Sequence, residues 1–410
     1  MMASARVSLL AAVAGLLLGL TACGSSGAPG SGTSSGGGAS TPPRSGSSSS
    51  IPALAQTPAA PGGARPSGGP VPARFAATSV TFVSADEAFV LGTAPCAHAP
   101  CTAIVRTLDR GQSWIGLPAP AEPVGQPGLP AAPAVWGIRF ATPGHGFVFG
   151  DGLWETTDGG GQWIRDAEPG GSILSLAIAG GQVLALTARC TPGGGCEQPA
   201  VLQRRTLGGG SWTAVEKVTI GGVIDPDDLI ATQAGVAAVT NGRDVLVTGD
   251  GGLTFTDNPI PCPPPAQRPS VAVTSPHGLA LLCVGEGYTG HTIKQVYVSL
   301  DDGAHWARAG APSPDGDGGT IAATAVGGEV AIATASAASW LLHSGDAGSS
   351  WRIVHTADDG GAGWADLGFT TATDGVVVHG PANSDGNSTQ RPGQLFLTSD
   401  GGTTWYQVSF

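Results

Sequence analysis

Two apolar runs separated by a short polar turn recur seven times in this chain. In the first copy, Ser79-VTFVSADEAFVL-Gly92, valine, phenylalanine and leucine flank the turn Ser-Ala-Asp-Glu. Paired apolar runs of this length, with turn residues between them, predict two antiparallel strands. The copies are Ser79–Gly92, Trp136–Gly150, Ile173–Thr187, Asp228–Asn241, Ser270–Val284, Thr320–Thr334 and Trp364–Gly380.

An octapeptide follows each strand pair, after a third short apolar run. It has Ser or Thr at position 1, Asp at position 3, Gly at position 5 and a large aromatic residue at position 8, as in Thr107–Trp114. Asp accepts hydrogen bonds from the backbone of its own turn, and Gly adopts positive φ without a steric penalty. The copy at Thr206–Trp212 lacks the Asp and is one residue shorter. The six Asp residues at position 3 are Asp109, Asp158, Asp250, Asp301, Asp346 and Asp400.

The repeat predicts the fold. Each octapeptide forms a turn whose aromatic residue begins a fourth strand, so each unit contains four short antiparallel strands. A period of about fifty residues repeated seven times indicates one supersecondary unit per repeat. We therefore predict an all-β fold, a seven-bladed β-propeller of four-stranded antiparallel blades, over residues 71–410. The chain would enter on an innermost strand near Thr78 and leave on an outermost strand at Trp405–Phe410, so no blade would be shared by its two ends unless Val71–Ala77 adds a strand.

The N-terminal residues 1–22 have the features of a lipoprotein signal peptide. The apolar run Val7–Leu20 is too short to span a bilayer as a helix and suits a signal-peptide core. The following Leu20-Thr-Ala-Cys23-Gly resembles the lipobox of bacterial lipoproteins, which implies cleavage before Cys23 and lipidation of its thiol. An ordinary signal peptide cut near Ala22 is the alternative.

Residues 23–70 are composed mainly of Gly, Ser, Ala, Pro and Thr, with Arg44 and Arg65 as the only charges. Such a segment has too little apolar surface to offset chain entropy and is predicted to be a disordered tether. Together with Cys23, it predicts an exported domain anchored to the outer face of the bacterial cytoplasmic membrane, or to the outer membrane in a Gram-negative source. Stable anchoring requires two or more acyl chains.

The charge of the chain excludes one class of partner. Lys and Arg total 18 against 30 Asp and Glu, which gives a net charge of −12. Binding to nucleic acid requires a basic surface, so we expect no nucleic-acid partner.

Seven cysteines are present, and six remain if Cys23 carries lipid. An even number is expected for disulfides in an exported protein. Spacing predicts the pairs Cys96–Cys101 and Cys190–Cys196, which leaves Cys262 with Cys283. The spacing does not fit a zinc site, and we predict no bound metal.

The octapeptides resemble the bacterial neuraminidase repeat, or Asp-box, over about residues 75–410. That family includes sialidases, other glycoside hydrolases, sortilin-type receptors and photosystem II assembly factors. The resemblance implies that the box is structural and lies away from the ligand-binding face. We therefore expect the six Asp residues to serve folding rather than catalysis.

Antiparallel blades place their connections on two faces. The first–second turns and the boxes share one face, here the box face; the second–third turns and the links between blades share the other, here the loop face. All three predicted disulfides fall on the loop face, where they either stiffen binding loops or add stability. Trp136, Arg139 and Trp364 lie in innermost strands and are candidate ligand-binding residues, with core packing as the alternative for both tryptophans.

A sialidase-like glycoside hydrolase is the alternative function. The arginine motif Phe/Tyr-Arg-Ile-Pro of sialidases is missing, and neither Tyr297 nor Tyr406 is predicted near the axial mouth. Tyr288 lies close to Glu286, but nothing in the sequence identifies Tyr288 as a nucleophile. Other glycosidases use two carboxylates. The candidates are Asp225, Asp227, Asp228, Glu286, Asp315 and Asp317, and solvated loop acids are the competing interpretation. His145 and His277 fall in equivalent turns of the box face.

The sequence thus favours a monomeric, non-catalytic binding or assembly scaffold without a cofactor. Its partner would be an envelope protein or a glycan. The resemblance to photosystem assembly factors extends only to the scaffold.

Overall fold

The computed structural model describes residues 66–96, 100–125, 133–191, 195–197, 199–220, 229–231, 236–263, 269–288, 291–313, 317–324, 328–380 and 393–410. The signal peptide, Cys23 and most of the predicted tether lie outside these residues. Within the described part of the chain, no helix is long and apolar enough to cross a membrane.

Seven four-stranded antiparallel sheets confirm the predicted seven-bladed propeller. Blade 1 contains β1 (Ala76–Phe82), β2 (Ala88–Pro95), β3 (Pro100–Thr107) and β4 (Ile115–Leu117). Blade 2 contains β5 (Val135–Phe140), β6 (Gly146–Gly150), β7 (Leu153–Thr156) and β8 (Ile164–Arg165). Blade 3 contains β9 (Ser172–Ala179), β10 (Gln182–Ala188), β13 (Ala200–Thr206) and β14 (Thr213–Ile220), with a separate hairpin of β11 (Cys190–Thr191) and β12 (Gly195–Cys196).

The remaining blades repeat the same order. Blade 4 contains β15 (Leu229–Ala231), β16 (Ala237–Thr240), β17 (Asp244–Thr248) and β18 (Thr256–Pro259). Blade 5 contains β19 (Ser270–Ser275), β20 (Gly278–Tyr288), β21 (His291–Ser299) and β22 (Ala307–Arg308). Blade 6 contains β23 (Asp317–Ala323), β24 (Val330–Ala335), β25 (Ser339–Ser344) and β26 (Arg352–Ala357). Blade 7 contains β27 (Trp364–Phe369), β28 (Gly375–His379), β29 (Gln394–Thr398) and β30 (Tyr406–Gln407).

The hydrophobic core lies between neighbouring blades, because the alternating side chains of the second and third strands point to both faces of each sheet. One cluster joins Val90 and Val105 of blade 1 to Val378 and Leu395 of blade 7. Burial of apolar area against both neighbours therefore stabilises the ring as a whole.

Side chains of one innermost strand satisfy backbone groups of the next. The amide of Ile138 donates to Ser79 Oγ at 3.2 Å, and the amide of Ile321 donates to Ser270 Oγ at 3.2 Å. At the closure between blades 7 and 1, the same kind of bond runs from the amide of Val80 to Asp366 Oδ2 at 2.7 Å. These bonds matter because a buried amide without an acceptor costs free energy.

The ring closes without a blade shared by the chain ends, as predicted. β1 of blade 1 contacts β27 of blade 7, and the last residue, Phe410, lies against Phe75 and Trp114 of blade 1, with ring centroids 4.8 and 5.1 Å apart. The described chain reaches the propeller before residue 71: Gly69 and Gly116 exchange two backbone hydrogen bonds of 2.8 Å.

A buried ion pair bridges the closure. Arg139 of blade 2 donates to Asp366 Oδ1 of blade 7 at 2.6 Å and to Ser79 Oγ of blade 1 at 3.2 Å, so one guanidinium connects three blades. Burial by itself would raise the pKa of Asp366, but the charge of Arg139 together with hydrogen bonds from Ser79, Arg139 and the Val80 amide outweighs it and holds the pKa below its usual value. Asp366 adopts φ of +52°, a conformation in which non-glycine residues are strained.

We expect Asp366→Asn to destabilise the propeller by about 3 kcal/mol, because it leaves the buried guanidinium without its counter-ion. Urea unfolding of Asp366→Asn, Arg139→Gln and the double variant gives the coupling energy of the pair. The double variant should lose less stability than the two single losses added. Arg110→Gln, which breaks the exposed pair with Asp86, is the control and should leave the midpoint unchanged. Additive single losses would contradict a role for the pair in closure.

Candidate functional site

The box turns use their Asp carboxylates internally. Thr107 Oγ1 donates to Asp109 Oδ1 at 2.8 Å and accepts the amide of Gly111 at 2.9 Å. Asp109 Oδ1 also accepts the amide of Ser113 at 2.8 Å, and Oδ2 accepts the Ser113 hydroxyl at 2.5 Å. In all six boxes the bond from position 1 to the Asp is 2.7–2.9 Å long. The carboxylates are acceptors of the turn rather than free acids.

Positions 4 and 5 of the box have left-handed backbone conformations. In the first box, φ is +61° at Arg110 and +80° at Gly111. The amide of Arg110 donates to the carbonyl of Asp86, in the first–second turn of the same blade, at 3.1 Å. A Cβ at Gly111 would lie 2.6 Å from Leu397 Cδ1 of blade 7. Position 5 thus requires glycine for two reasons, its φ and the close approach of the preceding blade.

The pKa values of three box Asp residues lie below the usual range of a carboxyl group. Burial would raise the pKa of Asp250, but hydrogen bonds from Thr254 and Thr248 outweigh it and lower the pKa to about 2. Hydrogen bonds from His305 and Ser350 lower the pKa of Asp301 and Asp346, respectively, to about 2. A general acid needs a pKa near the working pH.

Arg139 and the two tryptophans, the candidate ligand-binding residues, make contacts within the fold. Trp136 is 5% exposed and its indole N–H donates to the carbonyl of Ile173 at 3.0 Å. The indole N–H of Trp364 donates to Thr334 O at 3.1 Å, and its ring lies 4.4 Å from that of His379. Arg139 is held by Asp366. Trp364 retains partial exposure, whereas Trp136 offers almost no surface to a ligand.

A buried polar set missed by the sequence reasoning lies between blades 6 and 7. His379 Nε2 is 2.5 Å from Asp359 Oδ2, and the two side chains are 3% and 4% exposed. Asp359 Oδ1 accepts the hydroxyl of Ser339 at 3.1 Å. Because Ser339 donates to the carboxylate and not to the imidazole, the histidine does not activate the hydroxyl as a nucleophile. Neither the spacing nor the residue types predicted that Ser339, Asp359 and His379 would lie together.

A second missed cluster lies between blades 2 and 3. Arg205 is 2% exposed in its side chain and contacts Glu155 at 3.2 Å and Asp166 at 2.5 Å. His145 Nε2 lies 2.5 Å from Glu155 Oε1. Burial would raise the pKa of Asp166, but the hydrogen bond from Arg205, the charge of Arg205 and the hydrogen bond from the Ala167 amide outweigh it and lower the pKa.

These two carboxylates line a pocket of about 160 Å³. The lining residues are Glu155, Thr157, Asp158, Gln162, Ile164, Arg165 and Asp166. In glycosidases the two carboxyl groups flank the scissile bond. Here Glu155 and Asp166 both contact one guanidinium, with Arg205 Nη2 3.2 Å from Glu155 Oε2 and 2.5 Å from Asp166 Oδ2. This geometry fits a structural tie better than an acid–base pair.

The remaining sequence candidates divide into described and undescribed positions. Asp225, Asp227, Asp228 and Asp315, and the side chains of Glu286, Tyr288 and Asp317, lie outside the described residues. Tyr297 lies in β21 and Tyr406 in β30, the predicted third and fourth strands. His277 and His145 lie in first–second turns, as predicted, and His277 Nδ1 is 2.9 Å from Asp302 Oδ2. Among the described residues, no group of three His, Cys, Asp or Glu side chains could hold a metal ion.

The three predicted cysteine pairs are confirmed as disulfides: Cys96–Cys101, Cys190–Cys196 and Cys262–Cys283. One detail differs from expectation. The predicted strand pair ends at Val284, but β20 continues to Tyr288, with an irregularity between Val284 and Gly287. A bulge bends a strand without ending it.

Comparison with known proteins supports the fold. No protein-family model matches the chain, and no curated protein matches it. A solved structure of YCF48 bound to D1 peptide is 16% identical with a TM-score of 0.50, covering 83% of this chain and 96% of that one. YCF48 from Cyanidioschyzon merolae is 16% identical (TM-score 0.44; 68% and 86% covered), and a GH74 enzyme from Niastella koreensis 12% identical (0.27; 81% and 71%).

We expect Asp346→Asn to lower the thermal unfolding midpoint at pH 7 and to have little effect near pH 2. The pKa of Asp346 is about 2, below its value in the unfolded chain. Its ionised form therefore stabilises the fold above about pH 4, and this stabilisation is lost as the pH falls towards 2. Asp358→Asn, at an exposed position, is the control. An equal midpoint for Asp346→Asn and the parent at pH 7 would contradict the role of the box.

Proposed function

We propose that this protein is an exported, lipid-anchored propeller that acts as a non-catalytic binding or assembly scaffold at the cell envelope. The proposal is carried by the observation that buried acidic and basic side chains pair with each other between blades. Asp366 and Arg139, Asp359 and His379, and Glu155 and Arg205 each join neighbouring or closing blades. The six box carboxylates are likewise acceptors within their turns.

Protein is the proposed class of partner, with a glycan as the alternative. The YCF48 structure of the same fold holds a D1 peptide, and we propose that this chain likewise binds a protein segment. The box face consists of turns that are hydrogen-bonded to each other. One example is the 2.9 Å hydrogen bond from the Gly401 amide to the carbonyl oxygen of Thr373. The loop face carries connections that the repeat does not specify, and we assign binding to it.

A glycoside hydrolase is the second candidate, favoured by the carboxylates of Glu155 and Asp166 beside a pocket. A panel of fluorogenic glycosides, including a sialoside, separates the two functions. The scaffold proposal expects no turnover by the parent protein. Turnover that Glu155→Gln or Asp166→Asn abolishes, while the fold stays intact by circular dichroism, would replace the scaffold with the hydrolase.

The membrane anchor is tested by Cys23→Ala. The variant should move from the membrane fraction to the soluble exported fraction, because without acyl chains only weak membrane affinity remains. Ser25→Ala, two residues further on, is the matched control and should stay with the membrane. Retention of Cys23→Ala on the membrane would show that the anchor has been assigned wrongly.

A further inference from the structure

The shortened box of blade 3 lacks the contact that each complete box makes with the preceding blade. At position 5 of the six complete boxes, a Cβ would lie 2.4–3.4 Å from a side chain of the preceding blade. At Gly208, Gly209 and Gly210 of the shortened copy, a Cβ would meet nothing within 4 Å. The turn of blade 3 therefore leaves space beside the outer strands of blade 2, β7 and β8.

The pocket of about 160 Å³ lies on this side of blade 2. Its lining residues come from β7, from the box that follows it, and from β8 with the residue after it. Glu155 and Asp166 face blade 3, since Arg205 of β13 lies 3.2 Å from Glu155 Oε2 and 2.5 Å from Asp166 Oδ2. Ile164, which is 68% exposed, adds an apolar wall. The pocket thus opens where the third turn does not cover blade 2.

The carboxylate of Asp158, which also lines the pocket, differs from those of the other boxes. In the other five complete boxes the side chain at position 7 contacts Oδ2 of the box Asp at 2.5–2.7 Å. In blade 2 position 7 is Gln162, and no donor among the described residues bonds to Asp158 Oδ2. Asp158 Oδ1 holds the turn, accepting the Thr156 hydroxyl at 2.9 Å and the Gly161 amide at 2.9 Å. One oxygen of the carboxylate is therefore available to a ligand.

The charge around the pocket is negative after every ion pair is counted. Arg205, with a side chain 2% exposed, is one positive charge shared by two carboxylates. Arg165 pairs with Glu168 at 2.8 Å. Against these two arginines, four carboxylates leave a charge of −2, and a protonated His145 would still leave −1. The four are Glu155, Asp158, Asp166 and Glu168. A cleft lined by one sign of charge concentrates the opposite ion, so the pocket favours a cation.

Size and lining restrict the cation further. A cavity of about 150 Å³ accommodates a molecule of the size of benzene, so this pocket fits a short alkyl chain with its head group. A folded domain would not enter. An ammonium group has three donors for the surrounding carboxylate oxygens. Its alkyl chain can lie along the exposed side chain of Ile164, as the stems of lysine side chains lie along apolar surfaces.

We propose that the pocket on the blade 3 side of blade 2 binds a primary ammonium group on an alkyl chain, supplied by a lysine side chain of another protein or by a free small amine. The ammonium donates to Asp158 Oδ2 and to the carboxylates of Glu155 and Asp166. Arg205 preorganises the last two, so little conformational entropy is lost on binding. This site goes beyond the scaffold function assigned to the loop face and does not depend on it.

Calorimetric titration of n-pentylamine into the purified full-length protein tests the proposal. Pentanol and pentanoate, of the same chain length, lack the charge or carry the opposite one and are the negative probes. We expect saturable binding of n-pentylamine that is at least about tenfold tighter than that of either probe. An absence of saturable binding, or equal affinity for pentanol, would overturn the proposal and leave the scaffold function standing.

The contribution of the free oxygen is tested by Asp158→Asn, which should weaken binding of n-pentylamine about tenfold. Asp250→Asn is the matched control, because Asp250 holds the same position in its box but its Oδ2 accepts the Thr254 hydroxyl at 2.5 Å. The control removes the same charge and the same kind of turn bonds, and should change the affinity less than about twofold. Equal weakening by both variants would show that binding follows total charge or stability, against the proposed site.

A second variant, Gln162→Ser, keeps every charge and does not depend on the folding of Asp158→Asn. The introduced hydroxyl can donate to Asp158 Oδ2, as the Ser113 hydroxyl does to Asp109 Oδ2 at 2.5 Å. The thermal midpoint should stay equal or rise, because the turn gains a hydrogen bond, while binding of n-pentylamine weakens several-fold. An affinity equal to that of the parent protein would contradict the role of Asp158 Oδ2.

The source of the ammonium group is distinguished by titrating Nα-acetyl-lysine methylamide. Affinity equal to that of n-pentylamine would support a lysine of another protein, because the pocket then tolerates the peptide backbone. Affinity more than about tenfold weaker would support a free small amine. Tighter binding of Nα-acetyl-arginine methylamide than of both amines would overturn the assignment to a primary ammonium group, because the planar guanidinium would then be the better fit.

Discussion

The hydroxyl–carboxylate–glycine arrangement of the box turn is the constraint on which the rest of the propeller depends. In each box, the hydroxyl of the Thr or Ser at position 1 donates to the Asp at position 3 and accepts the amide of the glycine at position 5. These two hydrogen bonds fix the curvature of the turn. The glycine then meets the preceding blade, with Gly303 as one instance: a Cβ there would lie 2.7 Å from Val245 Cγ1 of blade 4. Each turn thus sets the register of its own third and fourth strands and the spacing to the next sheet. The same arrangement fixes one face of the ring.

The polar groups inside the ring extend this principle. Ser79, Asp366 and Ser270 on innermost strands satisfy amides of the following blade, and Arg139 adds a charge to the closure. Each such group is buried and has a partner, so each stabilises one arrangement of blades over others. The strained conformation of Asp366 is tolerated because two hydrogen bonds depend on it, one from the Val80 amide and one from the Arg139 guanidinium. The ion pair of Asp366 and Arg139 therefore stabilises closure of the ring.

The sequence predicted the parts of the fold that repeat. Seven strand pairs and six boxes fixed the number of blades, and cysteine spacing fixed the disulfides. Position 4 of the box was not recognised, because Arg110, Asp302 and Ala347 share no side-chain property and only their positive φ is common. Asp366 and Arg139 are 227 residues apart, and no periodicity connects them. The pair of His379 and Asp359 was not recognised for the same reason, because no periodicity connects the two residues. How far β-pairing continues past a bulge, as in β20, is likewise not determined by local composition.

The central claim is that the box turns lock the blades to each other on one face of the ring. Hydrogen exchange of the box amides, followed by mass spectrometry of the native protein, tests it most directly. The amides at positions 5 and 7, such as those of Gly348 and Ser350, donate within the turn to Ser344 Oγ and Asp346 Oδ1, and they should exchange only with global unfolding. The shortened copy at Thr206–Trp212, without its Asp, should exchange faster. Rapid exchange in all seven turns would contradict the account.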